Sequence, residues 1–477
     1  MRYAFITAIW ISWAFAQPLS GNYTIVGSSA SFASNQFPTI QAAFDSLSNR
    51  GASGTVTITL PPGTSWNPSD EPTTITLKSY TCTNCRVSLI LDTTIVLQKL
   101  TSATSATRFV LRLEGYIKNL TIDGRNKFTL QNTAIGGTST GTLGIVSTSS
   151  TPLVVDTLII KDLIIQGNGR SNTFAGIYLG PDANLISGPL LSGSSINGLQ
   201  ILGTSIDFVS RPIHLRGART ILQNIIITDN RIGLANAQSW AATFNIGAVH
   251  IIGGQHIKVL RNQITGAESG SLTTSNNVAG VRLDSCENFE IARNWIYGLR
   301  FTGNGARGEH GIFVRLPGNF LSGSSVHLIH NNMIADILGD ARGTATGDGW
   351  ENVSGIYLGA AGALSDARLQ VYHNSIHLFG DNSAVNSSQS GGASACITVG
   401  DSIRGGVLIV GNILQNTLRV AQQPKPAYGI VFLTNSPLSN VSINYNAYYI
   451  SAPGVANHVA MVGSNTYTTF SAWQGSP

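Results

Sequence analysis

The sequence predicts an all-β protein, a right-handed parallel β-helix wound from three-strand coils, with a capping helix near its N-terminal end. Three observations predict it. The template apolar-x-apolar-x-x-Asn-x-apolar recurs seven times: Ile225-Ile227-Asn230-Ile232, Ile257-Val259-Asn262-Ile264, Phe289-Ile291-Asn294-Ile296, Val326-Leu328-Asn331-Met333, Leu369-Val371-Asn374-Ile376, Val407-Ile409-Asn412-Leu414 and Val441-Ile443-Asn446-Tyr448. Each copy follows a second alternating run, usually opened by glycine, as in Gly280-Val281-Arg282-Leu283, Gly311-Ile312-Phe313-Val314 and Gly355-Ile356-Tyr357-Leu358. Charged residues make up only 11% of the 477, well below the roughly 25% of average soluble proteins, while glycine reaches 52 and methionine only 3. That composition favours strands and turns over helices.

Taken in order, the chain opens as a secretory leader over 1–16. Arg2 gives the positive start, Tyr3 to Phe15 the apolar stretch, and Ala14-Phe15-Ala16 a small-x-small cleavage site before Gln17. The alternative, an uncleaved anchor, is disfavoured because this stretch is short of the ~20 apolar residues that span a bilayer. A segment over 17–53 follows, in which Ile40, Ala43, Phe44 and Leu47 form one apolar helical face. The β-helix is expected over 54–450, beginning with the alternating run Gly54 to Leu60 before Pro61. Cys82 and Cys85 are spaced to close a small disulfide after export. Cys286 and Cys396 fall several coils apart and are expected to stay unpaired. Residues 451–477 form a C-terminal cap or a truncated tail, with Tyr467, Phe470 and Trp473 as apolar cover for the last coil.

One coil thus holds three short strands joined by turns and one variable loop. Alternation sends every second side chain inward, and no coil buries its own apolar row without neighbours about 4.8 Å away. Successive template copies, including the earlier Leu158-Ile160-Leu163-Ile165 and Leu199-Ile201-Thr204-Ile206, lie 26 to 43 positions apart. An inward Asn in the tight turn offers both a carbonyl and an NH2 to backbone groups that water cannot reach. Asn is also common in turns generally. Seven copies at one phase argue for the ladder Asn230, Asn262, Asn294, Asn331, Asn374, Asn412 and Asn446.

With this repeat the chain resembles the pectin-lyase-like superfamily of right-handed parallel β-helices, over roughly residues 39 to 450. That family carries an Asn ladder in the turn between its second and third strands, and the helix and first strand near residue 40 look like its N-terminal cap. The resemblance implies a substrate groove on the strand preceding each ladder copy and on the loops opening onto it.

Aligned coil by coil, that strand presents an outward column Tyr178, His214, His250, Arg282, Phe313, Tyr357, Thr398 and Val431. Beside it runs Gly180, Arg216, Ile252, Asp284, Arg315, Gly359, Gly400 and Leu433. Rings stack on sugar faces and Arg binds carboxylate or sulfate with paired hydrogen bonds. Trp350, in a loop with Asp340, Arg342, Asp348 and Glu351, is a further sugar platform. The expected binding set is therefore Tyr178, His214, Arg216, His250, Arg282, Phe313, Arg315, Trp350 and Tyr357. The opposing reading makes the column stacked packing.

The function expected is binding of carbohydrate, acidic polysaccharide first among candidates, by a secreted or cell-surface monomer. The formal charge of +5 does not suggest nucleic acid as a partner, and no mature segment is long and apolar enough to span a membrane. A polysaccharide lyase or glycoside hydrolase is the alternative, with Arg282, Asp284, Glu309, His310 and Arg315 as candidate catalytic groups. Hydrolysis needs two carboxyl groups roughly 5–9.5 Å apart, which Asp284 and Glu309 would have to supply. The calcium-binding acid cluster of the superfamily's lyases and the paired-Asp and Arg-x-Lys motifs of its polygalacturonases are missing. Glu309-His310-Gly311 matches only the Gly-His-Gly element in part. No cofactor is expected, calcium being the one plausible ion for such oxygen ligands. A structural surface spacer is the third reading.

Overall fold

The structure is a computed structural model. It describes the chain from Gln17 to Gln474 except for 29–32, 103, 105–106, 136–138, 170–171, 187, 234–237, 240–245, 270–277, 302–307, 322–324, 340–351, 382–392, 420–425 and 435–437. The leader 1–16 and Trp350, with its loop neighbours Asp340, Arg342, Asp348 and Glu351, lie outside the described residues.

The chain winds into a parallel β-helix with three faces. A representative coil runs Val278–Asp284 on the first sheet, Glu287–Ala292 on the second and Trp295–Phe301 on the third, then returns to the first sheet as Glu309–Leu316. Among the described residues the first and third sheets hold 13 strands each and the second 14. Pairing is parallel from coil to coil, and the antiparallel hairpin Asn457–Val462/Asn465–Tyr467 ends the first sheet. Inward positions carry Ile, Leu and Val almost without exception: Ile257, Val259 and Ile264 in one coil, Ile291 and Ile296 in the next, all fully buried.

At the N-terminal end, the helix Ile40–Arg50 buries Ile40, Ala43, Phe44 and Leu47 and packs against Leu19–Ile25 and Ile75–Leu77, early strands of the second and first sheets. The Thr39 hydroxyl accepts from Ala42 N at 3.0 Å, satisfying one orphan donor of the first turn. The Glu71 carboxylate accepts from the backbone N–H of Ile40 and Gln41 and from the Trp66 indole, an anion placed at the positive end of the helix. Parallel pairing already includes Leu19–Ile25 on Ala52–Leu60, so the coil stack begins ahead of residue 54. At the other end the Phe470 and Trp473 rings stand 5.8 and 6.2 Å from Tyr448. Cys82 and Cys85 are disulfide-bonded, and Cys286 and Cys396 are free and buried. Among the described residues no helix is long and apolar enough to cross a membrane.

A column of inward amides lines the turn between the second and third sheets. Asn262 is typical: its Nδ2 donates to Ile227 O and to Asn294 Oδ1, both at 2.9 Å, and its backbone N–H donates to the same Asn294 oxygen. The pattern repeats from Asn230 to Asn446. One member of the expected ladder is corrected. The column passes through Asn332, whose Oδ1 accepts from Asn294 and whose Nδ2 donates to Asn374. Asn331 has φ +54° and sits one place earlier, where the other coils hold Asp229, Arg261, Arg293, His373, Gly411 and Tyr445, all left-handed too. The buried frame is His327, Ile329, Asn332 and Ile334, whereas Val326 and Met333 are 39% and 59% exposed. A polar His in an inward slot made the neighbouring frame look more apolar.

A second left-handed column bends the second sheet midway: Asn119, Thr157, Gly198, Asn224, His256, Asn288, Arg368, Gly406 and Asn440. Ladder register skips this residue, passing from Gln223↔Gln255 to Ile225↔Ile257. An unpaired residue of this conformation turns a strand as a bulge does.

The amide column yields a sharp test of frame. Asn332→Ala removes the side-chain partners of Ile291 O and Asn294 N, while Asn374 Oδ1 keeps the Asn332 backbone N–H, and is expected to cost about 3 kcal/mol. Asn331→Gly keeps the left-handed turn and is expected to shift stability by no more than about 0.5 kcal/mol. Urea unfolding of both variants checks the difference; equal midpoints would contradict the assignment.

Candidate functional site

The outward columns of the first sheet stand in the register read from the sequence: Tyr178↔His214↔His250↔Arg282↔Phe313↔Tyr357, with Asp284↔Arg315 alongside. Their exposure differs from expectation. Tyr178, His214 and Tyr357 are 0% exposed, His250 3%, and Arg282 and Phe313 4%. The groups face away from the central core yet are packed, not solvated. Phe313 and Tyr357 stack with centroids 4.8 Å apart, the Arg282 guanidinium lies 4.1 Å above Phe313, and His214 and His250 stand 4.8 Å apart. The column is a second packed layer outside the first sheet.

The Arg282 charge is matched within the layer. Arg282 Nε and His250 Nε2 both hold Asp284 Oδ2, at 2.6 and 2.9 Å, and Arg211 Nη1 meets His214 Nε2 at 3.2 Å. Burial drives the His250 pKa down to about 4, with Asp284 offsetting part of the shift. Burial opposes ionisation of Asp284, but Arg282 and His250 outweigh it and hold the carboxyl below its ordinary range. Further along the same face, Arg112 pairs with Glu114 at 2.8 Å and with Asp182 at 3.0 Å. This second cluster and Arg211 are missed by the sequence alignment, which begins at Tyr178. Arg216 is half-buried and donates to Ile186 O; Arg315 is exposed.

Arg282, Asp284 and Arg315 lie together, but the two candidate acids do not converge. Glu309 is fully buried with its carboxylate against Gly339. It pairs with Val278 while Asp284 pairs with Arg315, so six residues separate the two acids along the strand, roughly 20 Å at about 3.3 Å per residue. That exceeds any glycosidase carboxyl spacing. His310 is fully buried beside Phe313 and Tyr357, both 5.3 Å away, and burial lowers its pKa to about 3. Among the described residues no group of three or more His, Cys, Asp or Glu is placed to hold a metal ion.

An open groove lies instead on the second sheet. Its outward column runs Ile226↔Lys258↔Glu290↔Leu328↔Gln370↔Leu408↔Ser442. The left-handed column makes this face concave. A cleft of about 540 Å³ is lined by Asn224, Ile226, His256, Lys258, Asn288, Glu290, Val326 and Leu328. A second, of about 260 Å³, shares Val326 and continues past Arg368 and Gln370 to Asn440 and Ser442. Lys258 Nζ lies 3.8 Å from Glu290 Oε2, whose other oxygen meets His330 Nε2 at 3.2 Å. The His330 ring stacks on Tyr372 at 4.7 Å. These groups occupy the unconstrained positions of the ladder template, so their alignment is visible in sequence, while the bend that makes them a groove is not.

No protein-family model matches the chain, and no curated protein matches it. Among solved structures, the Dettilon tailspike protein aligns at 13% identity and TM-score 0.37, over 84% of this chain and 64% of that one. The GH136 lacto-N-biosidase from Eubacterium ramulus aligns at 8% identity and TM-score 0.30, over 92% and 66%. The catalytic domain of a GH87 α-1,3-glucanase, solved with tetrasaccharides, aligns at 10% identity and TM-score 0.19, over 91% and 71%. The chain spans about two thirds of the length of the first two. The fold is a parallel β-helix.

Buried neutral His250 makes stability depend on pH. The unfolded chain takes up this proton near pH 6.5 and the folded chain only near 4. Across that window the unfolded state binds more protons, so stability falls as pH drops from 6.5 towards 4. His250→Gln is expected to reduce that fall by on the order of 3 kcal/mol. Urea midpoints at pH 7 and pH 4.5 measure it, and parallel behaviour of variant and parent would refute a buried neutral ring.

Proposed function

We propose that the protein is an extracytoplasmic carbohydrate-binding β-helix that holds a polysaccharide along the bent outer face of its second sheet. The observation that carries this is the groove itself. It runs across seven successive coils from Leu222–Thr228 to Ser439–Asn444, six coil steps of about 4.8 Å, or roughly 29 Å. A track of that length fits an extended polymer better than a small metabolite. Its lining alternates apolar side chains with amides and other hydrogen-bonding groups, the mixture that binding clefts use to give area and orientation together. The disulfide Cys82–Cys85 supports residence in an oxidising compartment.

Binding is favoured over cleavage. Glu290 is engaged by Lys258 and His330, and the other acid of the groove, Asp366, is held by Arg368 at 2.9 Å. Asp366 stands four residues before Gln370, two coils on from Glu290. Two coil rises alone are about 9.6 Å and the offset along the chain adds to that, beyond the roughly 5–9.5 Å of a hydrolytic pair.

The test measures retention of polysaccharides by affinity electrophoresis, with chain-length analysis of the recovered polymer. Leu328→Glu, which replaces apolar lining of the main cleft with a carboxylate, is expected to weaken retention at least about ten-fold with an unchanged circular dichroism spectrum, and the polymer should come back at full length. Arg315→Ala, on the first sheet, is expected to change retention less than about two-fold. Loss on Arg315→Ala with full retention by Leu328→Glu would move binding to the first sheet and sink the proposal; shortened polymer would make the protein an enzyme.

A further inference from the structure

We infer that the ligand of this groove is a neutral, hydroxyl-rich polysaccharide and not a polyanion. The inference rests on the second-sheet reading above and adds the chemical class of the ligand.

Charges are matched along the track. Four charged side chains line the two clefts: Lys258, Glu290, Asp366 and Arg368. They form two opposite-sign pairs, at 3.8 Å and 2.9 Å. Each of these cations therefore already has an anion beside it, and among the described lining residues no further Lys or Arg faces a polyuronate or sulfated chain. Such a chain would meet Glu290 and Asp366 directly, and like charges brought together across an interface disfavour the wrong partner.

The rest of the lining points the same way. Gln370 and Asn440 each carry a carbonyl acceptor and an NH2 donor, which complement a sugar hydroxyl that is itself donor and acceptor; Asn224 and Asn288 add their remaining capacity, the first donating to Asn197 Oδ1 and the second meeting His256 Nε2 and accepting from Val326 N. Val326, 39% exposed, and half-buried Leu328 and Leu408 supply apolar surface for the C–H faces of pyranose rings. On the first sheet, Arg282 is paired with Asp284 and Arg112 with Glu114 and Asp182. The formal excess of +5 over the whole chain is thus not concentrated on this face.

The experiment sets a panel of neutral polymers (a β-glucan, an α-glucan, a galactomannan and a xylan) against polygalacturonate and heparin, at low and moderate salt. The parent protein is expected to retain at least one neutral polymer, with affinity changing less than about two-fold between roughly 20 and 300 mM salt, since no net charge is involved. Neither acidic polymer should be retained. The variant E290Q/D366N, which strips the anions from Lys258 and Arg368, is expected to gain at least about five-fold in retention of heparin, and that gain should vanish at the higher salt. Retention of only acidic polymers by the parent, abolished by Leu328→Glu, would overturn the neutral-ligand inference and leave the groove reading standing. Retention insensitive to Leu328→Glu, or of no polymer in the panel, would overturn the groove reading and this inference with it. Absence of any gain in the double variant would refute the charge matching.

Discussion

Each coil has to carry peptide groups around a corner that faces the dry interior, and the tower depends on how those groups are bonded. The inward amide solves this for three coils at once. Asn262 takes the carbonyl of Ile227 below, accepts at its own oxygen from Asn230, and donates to Asn294 above. An orphaned group there would cost about 1–3 kcal/mol, so a run of such corners is stable only if every step is satisfied. The apolar rows supply the bulk of the driving force, but they are indifferent to small slips along the strand. The amide, with its fixed geometry, sets the register on which every outward column depends.

Outside the first sheet the same stacking logic creates a second packed layer. Rings, imidazoles and guanidinium groups at one phase of successive strands pile on each other at coil spacing. Once packed, their charges must be paired, and Arg282 with Asp284 and Arg112 with Glu114 and Asp182 do so within the layer. A column of functional-looking residues is then spent on holding its own layer together. The second sheet carries fewer rings and a bend, and its outward groups stay available.

The fold was legible in the sequence because it is periodic. Alternation and the recurring Asn locate strands and corners, and the register of Tyr178, His214 and His250 follows from the same phase. The misplacement at Asn331 shows the limit: with two adjacent Asn residues, only the left-handed backbone of the first decides which one turns inward, and buried His327 hides the true apolar frame. Exposure of the first-sheet column was not legible, since it depends on how neighbouring side chains settle above the sheet. The groove escaped for a different reason. Its bend follows a left-handed column in which Asn119, Gly198, Asn224, Asn288, Gly406 and Asn440 are residue types that favour that conformation, a signal broken by Thr157, His256 and Arg368.

That last feature has a consequence for how such a surface can change. Curvature set by main-chain dihedrals is independent of the chemical identity displayed on it, so individual rungs can be recoloured without flattening the track. Because each rung contacts only its neighbours, duplication or loss of one complete winding would lengthen or shorten the track by a single rise of about 4.8 Å, leaving the remaining geometry intact. Reach and selectivity are therefore separately adjustable in this architecture.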